Sequence, residues 1–146
     1  GDLDVMVVDM PPGTGDAQLS LVQTIDVDGA VMVTTPQDVS VGDVRRGIRM
    51  FERVNTRVLG IVENMSEFVC PGCGERHDIF GKGGGEALAA AMDVPFLGSI
   101  PLDTEVRRAG DVGAPTVVAA ADSPAGAAFR AVADRIADVI GVTVKT

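Results

Sequence analysis

Two hydrophobic patterns alternate along this chain. Runs of consecutive apolar residues are typical of strands buried on both faces of a parallel sheet, and they predict strands at residues 5–8, 29–34, 58–62 and 95–100. Apolar residues at three- and four-residue steps predict helices at about residues 17–23, 38–54, 86–92, 105–109 and 124–140. Strands that alternate with helices predict an α/β fold with a doubly wound, mainly parallel sheet and helices on both faces.

The first predicted strand runs into Asp9 and then into a turn containing Gly13 and Gly15. Ligands bind at the carboxyl edge of such sheets, where an aspartate is typical of a Walker B residue that holds Mg²⁺ directly or through water. The two glycines allow backbone N–H groups to approach an anion, and Asp16 is expected to cap the next helix. The alternative is a buried strand, a turn and a cap without a ligand. An unpaired carboxylate at a buried strand end is costly without a cation or donors, so we favour the Mg²⁺ site.

Composition limits the classes of function. A length of 146 residues, a hydrophobic fraction of 46% and a mean hydropathy of +0.26 predict one domain with a substantial core. A net charge of -9 argues against a nucleic-acid partner, because binding to phosphates needs a basic surface. The sequence has no signal peptide and no apolar run long enough to span a bilayer. We therefore expect a cytoplasmic protein without a membrane partner.

Both cysteines belong to one motif, Cys70-Pro71-Gly72-Cys73. A C-x-x-C turn brings two thiolates to one side of a loop, at the spacing that a metal ion or a cluster needs. Zinc and a 4Fe-4S cluster each prefer four ligands, which favours a homodimer in which each chain contributes two. Zinc bound within one chain by the cysteines with His77 and Asp78 is an alternative, and a redox dithiol is another.

A phosphate-binding loop is missing from the sequence. No strand is followed by G-x-x-x-x-G-K-[ST], and the glycine-rich residues 81–86 have no Ser or Thr after Lys82. We therefore expect residues 81–86 to be a flexible turn before a helix.

Six segments in this order resemble the Mrp/ApbC family of deviant-Walker P-loop ATPases, which are iron-sulfur cluster carriers. They read VVDMPPGTGDAQLSL, VTTPQDVSVGDVRRG, GIVENMS, CPGC, IFGKGGGE and GSIPLD, and the match covers essentially the whole chain. The resemblance implies a 4Fe-4S cluster that bridges two subunits through Cys70 and Cys73 and is passed to apo iron-sulfur proteins. It also implies that residues 1–146 are the carboxyl-terminal part of one P-loop NTPase domain, with the first strand and the Walker A loop upstream of Gly1. ATP hydrolysis is then expected only when that segment is present, and the chain alone is expected to be inactive.

The resemblance also assigns roles at the nucleotide site. Asp9 and Gly13 are the expected catalytic positions, and ATP with Mg²⁺ would bind between them and the Walker A loop. Asn64 is expected to read adenine and, like Pro101 and Asp103, lies at the end of a predicted strand, where it would contact the nucleotide. Strand-end capping by Asn64 and helix capping by Asp103 are the alternatives. We further hypothesise that hydrolysis changes how tightly the cysteines hold the cluster.

Two other classes of protein remain open. A partitioning or division-site ATPase of the ParA/MinD type would share the Asp9 strand, but it would lack the C-P-x-C motif and often end in a basic membrane-binding helix. The last predicted helix instead balances Arg130 and Arg135 against Asp134 and Asp138. A zinc-bridged, non-catalytic dimer that acts as a binding module is the other alternative, and metal analysis separates it from a cluster carrier.

Overall fold

A computed structural model describes residues 3–11, 13 and 15–142. These residues form ten elements: α1 (Asp16–Thr24), β1 (Ala30–Thr34), α2 (Asp38–Arg53), β2 (Val58–Val69), β3 (Arg76–His77), α3 (Gly84–Met92), β4 (Phe96–Leu102), α4 (Thr104–Asp111), α5 (Thr116–Ala119) and α6 (Pro124–Ile140). All five predicted helices are present, each within two residues of its predicted ends. The short elements α5 and β3 have no strong apolar pattern and were not predicted.

The central strand of the sheet is β2. It pairs in parallel with β1 on one side and with β4 on the other, and the short β3 pairs antiparallel with its carboxyl end. Successive residues of β2 point to opposite faces. Ile61 packs with Ile48 of α2 and Leu88 of α3, whereas Val62 packs with Val132 of α6 on the other face. The α/β fold with helices on both faces of a mainly parallel sheet is therefore confirmed.

The strand β2 is longer than its apolar run predicts. It continues past Glu63 as far as Val69, because its last residues pair with β3, Phe68 opposite His77 and Val69 opposite Arg76. The polar residues in this extension break the apolar pattern that predicts a strand. The strand still forms, because the hydrogen bonds between strands join backbone groups and do not depend on the polarity of the side chains. The result is a hairpin that projects from the carboxyl edge of the sheet.

The predicted buried strand at residues 5–8 is wrong for this chain. No strand forms among the described residues before Ala30, and the side chains of Met6 and Val7 are 68% and 89% exposed. An extended segment gains ladder hydrogen bonds and burial only from a neighbouring strand, and β1 pairs with β2 alone. Without a paired neighbour, the apolar run stays on the surface.

The predicted cap of α1 is also corrected. The N-cap residue is Gly15, with no side-chain hydrogen bond, and Asp16 is the first residue of the helix. Its carboxylate there still interacts favourably with the positive end of the helix dipole.

Exposed apolar residues near the amino end give a testable expectation for the chain in isolation. Val5, Met6, Val7 and Val8 are exposed, as is Val33 on β1, whose outer edge is unpaired among the described residues. Free strand edges beside apolar side chains pair with other chains. We expect residues 1–146 alone to self-associate with rising concentration in size-exclusion chromatography with light scattering, and less so as the Val7→Lys variant. A monodisperse wild-type chain with cooperative unfolding would contradict this expectation.

Among the described residues, none of the helices combines the length and the apolar character required to cross a lipid bilayer.

Candidate functional site

The two cysteines lie at the tip of the β2–β3 hairpin. The N–H of Cys70 donates to the carbonyl of Glu75 at 2.9 Å, and the N–H of Gly74 donates to the carbonyl of Cys70 at 2.8 Å. Gly74 has a φ of 74°, which suits glycine and closes the turn. Both thiols are free, with Cys73 exposed and Cys70 half-buried. The predicted pair of sulfur ligands therefore faces solvent at one end of the sheet.

The turn stabilises the thiolate of Cys70. Hydrogen bonds from the N–H groups of Cys73 and Gly72, and then from the Cys73 side chain, lower the pKa of the Cys70 thiol, while partial desolvation opposes the shift. Only the thiolate form of cysteine ligates metals and clusters. The backbone of the turn therefore favours the thiolate form of Cys70, and its role as a metal ligand stays a prediction.

The lowered pKa of Cys70 predicts its pattern of alkylation. In metal-free protein, Cys70 is expected to react with iodoacetamide at a lower pH than a cysteine in a model peptide, because its thiolate persists as the pH falls. Peptide-level mass spectrometry across a pH series measures the midpoint. The same protein in denaturant is the control, and an identical midpoint in both states would contradict the hydrogen-bonded thiolate.

The alternative of a zinc site within one chain is not supported. His77 lies on β3, with its Nε2 3.7 Å from a carboxylate oxygen of Glu75 and its ring centroid 6.5 Å from that of Phe68. Over the described ranges, no three His, Cys, Asp or Glu side chains come close enough to share a metal ion. The described residues offer the two thiols as a pair without a third ligand.

Glu63 is a structural residue of the site that sequence reasoning missed. Its side chain is 1% exposed, and its two carboxylate oxygens accept from the N–H groups of Gly83 at 3.0 Å and Gly85 at 2.7 Å. The first N–H groups of a helix have no partner within the helix, and they attract a negative charge. Glu63 therefore anchors the amino end of α3 beneath the hairpin. The available signal was a charged residue directly after the apolar run at residues 58–62, followed later by a glycine run.

The glycine run before α3 is a turn, as predicted, but it is packed rather than flexible. A Cβ on Gly84 would lie 2.4 Å from the carbonyl oxygen of Pro36, and one on Gly85 would lie 3.0 Å from the Cβ of Glu63. The glycines thus allow α3 to approach the β1–α2 loop and the Glu63 carboxylate.

Two glycine substitutions test this packing with opposite expected signs. Gly84→Ala should destabilise the fold by about 1–3 kcal/mol, because the new methyl group meets backbone that cannot move aside easily. Gly42→Ala, in the interior of α2, should stabilise the fold by roughly 0.5–1 kcal/mol, because the added Cβ would meet no other part of the protein within 4 Å beyond the nearby backbone of its own helix. Thermal or denaturant unfolding of both variants gives the comparison. Equal stability of the two variants would show that the approach of α3 is not tight.

Of the predicted nucleotide residues, Asn64 lies in the interior of β2, Pro101 lies near the carboxyl end of the adjacent strand β4, and Asp103 follows that strand. Asn64 of β2 is in register with Ile100 of β4, one residue before Pro101, and both predicted residues are half-buried. The Oδ1 of Asn64 accepts from the N–H of Met65 at 2.9 Å, which leaves its amide N–H₂ group available. Asp103 is the N-cap of α4 and accepts from the N–H of Glu105 at 2.7 Å, so its capping role is confirmed. Contact of these residues with a nucleotide stays a prediction.

The predicted catalytic residues Asp9 and Gly13 lie on the exposed segment before α1. Asp9 is exposed rather than at a buried strand end, so desolvation does not force it to bind a cation. Gly13 has a φ of 96°, a conformation that favours glycine. Their roles in catalysis stay predictions. Gln18 of α1, which the sequence did not single out, donates hydrogen bonds to this segment.

Comparisons with known proteins identify the family. A ParA-type family model, described as the NUBPL iron-transfer P-loop NTPase, matches residues 1–137. An iron-sulfur cluster carrier protein of Deinococcus radiodurans is 54% identical over 142 residues, which is 97% of this chain and 40% of that protein.

Solved structures agree with the family match. A nucleotide-binding protein of Archaeoglobus fulgidus in complex with ADP is 45% identical, with a TM-score of 0.63, over 71% of this chain and 43% of that one. The septum site-determining protein MinD of Pyrococcus horikoshii, complexed with Mg-ADP, is 27% identical, with a TM-score of 0.65, over 89% of this chain and 47% of that one. The lower identity to MinD gives only weak support to a partitioning ATPase.

The chain spans about two-fifths of the length of the curated relatives that it matches, since it covers 40% of the Deinococcus protein. Within that span, the α/β fold, the C-x-x-C hairpin and the family match agree. The chain belongs to the family of NUBPL-type iron-transfer P-loop NTPases.

Proposed function

We propose that the protein containing this chain is an iron-sulfur cluster carrier, which binds a 4Fe-4S cluster as cargo and transfers it to apo-proteins. The observation that carries the proposal is the hairpin tip, where Cys70 and Cys73 are solvent-accessible and N–H donors lower the pKa of Cys70. Relatives at about half identity are named iron-sulfur cluster carrier proteins, which supports the same conclusion.

The cluster would be shared by a homodimer. Each chain offers two thiols, and the described residues bring no third ligand beside them. A 4Fe-4S cluster held by four cysteines therefore needs two hairpin tips that face each other. Because the hairpin tip projects into solvent, an acceptor protein has access to a cluster bound there, as transfer requires. This cargo site fits a cytoplasmic protein, since reducing conditions keep both thiols free.

ATP binding and hydrolysis are proposed for the whole protein. A preceding segment would supply the phosphate loop and a new strand that pairs with the edge of β1 left open among the described residues. Residues 5–8 would then form a strand that pairs with the other edge of this new strand. Asp9 would hold Mg²⁺, Gly13 would approach the γ-phosphate, and the group of Asn64, Pro101 and Asp103 would contact the base. The ADP in the Archaeoglobus structure supports nucleotide binding in the family. The present chain alone would be inactive.

The proposed coupling between nucleotide and cargo has a physical basis in α3. Its amino end is held by Glu63, packs on the β1–α2 loop at Pro36, and follows directly on the segment that returns from the hairpin. A movement of the β1–α2 loop, at the edge of the sheet proposed to bind the nucleotide, would therefore displace α3. This displacement would change the base of the β2–β3 hairpin, which carries the cysteines. With this contact in two alternative arrangements, the hairpin cysteines would bind the cluster with a different affinity in each.

Anaerobic reconstitution of the intact protein with ferrous iron and sulfide tests the proposal. We expect visible absorbance, one 4Fe-4S cluster per dimer, and activation of an apo 4Fe-4S enzyme on mixing. Zinc at one per dimer, with no cluster formed, would instead support the zinc-bridged binding module. The coupling is tested separately, by cluster release with and without ATP and by ATP hydrolysis with and without cluster. If neither rate changes, the coupling is wrong even where the carrier function holds.

A further inference from the structure

Gln18 is the buried residue of helix α1. Its side chain is 3% exposed, while the other described residues of the helix are exposed or half-buried. Burying a primary amide without hydrogen bonds is unfavourable, so its partners give the reason for its position.

Both N–H groups of the Gln18 amide are used by the preceding loop. Nε2 donates to the carbonyl of Pro11 at 2.6 Å and to the carbonyl of Gly13 at 3.1 Å. A Cβ placed on Gly15 would lie 3.6 Å from Oε1 of the same amide. One side chain therefore links the carbonyls of Pro11 and Gly13 to α1. Within the described part of the chain, Oε1 has no hydrogen-bond partner.

We propose that Gln18 is a positioning residue that sets the backbone conformation of the turn after Asp9. The proposal depends on the ATP hydrolysis proposed above, in which Asp9 and Gly13 contact Mg²⁺ and the γ-phosphate. The hydrogen bonds to the carbonyls of Pro11 and Gly13 tie the turn to α1. The turn can change shape only if these two hydrogen bonds break or if α1 moves with it.

The amide is the chemical feature that matters. A methionine has similar length and flexibility but no donor, so Gln18→Met removes both hydrogen bonds with little change in volume. Gln18→Asn keeps the amide on a shorter side chain, which cannot reach both carbonyls from the same backbone position. Gln23→Met is the matched control, because Gln23 is exposed on the same helix.

Hydrogen exchange and steady-state kinetics on the intact protein test the inference. For Gln18→Met, we expect exchange at the hydrogen-bonded amides of residues 20–24 in α1 to rise by about tenfold in the nucleotide-free state, because the turn no longer restrains the start of the helix. We also expect kcat for ATP hydrolysis to fall about tenfold, while KM for ATP stays within about twofold. The reason is that a correctly placed turn stabilises the transition state and not the binding of ATP. Gln18→Asn should be intermediate in both measurements, and Gln23→Met should match the wild type.

Three results would separate the possible failures. Equal exchange in Gln18→Met and Gln23→Met would show that the amide does not hold the turn. Raised exchange with unchanged kcat would show that the held conformation does not matter for hydrolysis, which also overturns the inference. A wild-type protein that binds but does not hydrolyse ATP would refute the proposed activity, and with it the positioning role. If Gln18→Met does not fold, exchange and kcat are compared between Gln18→Asn and Gln23→Asn instead, and equal values would show that the amide does not hold the turn.

Discussion

Replacing Cys70 with serine in the intact protein is expected to lower its content of reconstituted 4Fe-4S cluster by at least about tenfold. Serine has nearly the same shape but no thiolate, so a cluster shared by two chains would lose two of its four ligands at once. The N–H groups of Gly72 and Cys73, which lower the pKa of the Cys70 thiol, would then face a neutral hydroxyl. Iron and sulfide content, visible absorbance and oligomeric state after anaerobic reconstitution are the measurements.

A histidine variant is the matched control for the cysteine prediction. His77→Ala removes a potential metal ligand from the same hairpin, but His77 lies on β3 and belongs to no group of three potential ligands in the described structure. We expect this variant to load its cluster as the wild type does. Equal loss of metal from Cys70→Ser and His77→Ala would favour zinc bound with His77. Full cluster content in Cys70→Ser would refute the assigned ligand.

Replacing Glu63 with glutamine is expected to reduce the free energy of unfolding by about 2–4 kcal/mol. The carboxylate accepts from two backbone N–H groups at the start of α3, and its side chain is almost fully buried. Glutamine keeps the volume, but its amide N–H₂ group must face one of the two N–H donors, which would leave that buried donor without an acceptor. The favourable interaction between the negative charge and the helix dipole would also be lost.

Denaturant titration of the intact protein measures the effect of Glu63→Gln, and its thermal midpoint should fall by roughly 10 °C. The control is Glu52→Gln, on the exposed face of α2, for which we expect a change within about 0.5 kcal/mol. If the two variants have the same stability, the carboxylate of Glu63 does not anchor α3. The proposed physical basis for coupling would then fail as well.

Much of the fold and part of the site could be predicted from the sequence, because both depend on local patterns. The apolar periodicity of α6 sets its face toward the sheet, and the helix has the predicted limits, Pro124–Ile140. The C-x-x-C spacing predicts that the two sulfurs lie on one turn, as they do in the structure, and the role of Cys70 and Cys73 as ligands stays a prediction. The capping role of Asp103 follows from its position just before a helix.

The errors share one physical cause, which is dependence on a distant partner. Residues 5–8 have the composition of a buried strand, but a strand forms only against a neighbouring strand. Glu63 directly follows the apolar run at residues 58–62, and its role as an acceptor depends on N–H groups 20 and 22 residues away. The glycine run before α3 is typical of a flexible turn, and the close approach of Pro36 that makes it a packed one is not visible in the sequence.

By itself, the sequence determined the alternation of strands and helices, the paired thiols and the resemblance to a family, since each is encoded over a few neighbouring residues. The tertiary structure alone decided which apolar run becomes a strand, that a buried carboxylate anchors α3, and that Gln18 holds the turn after Asp9. These features are contacts between segments, and their free energy depends on the distance and solvent exposure of groups that the order of residues does not specify.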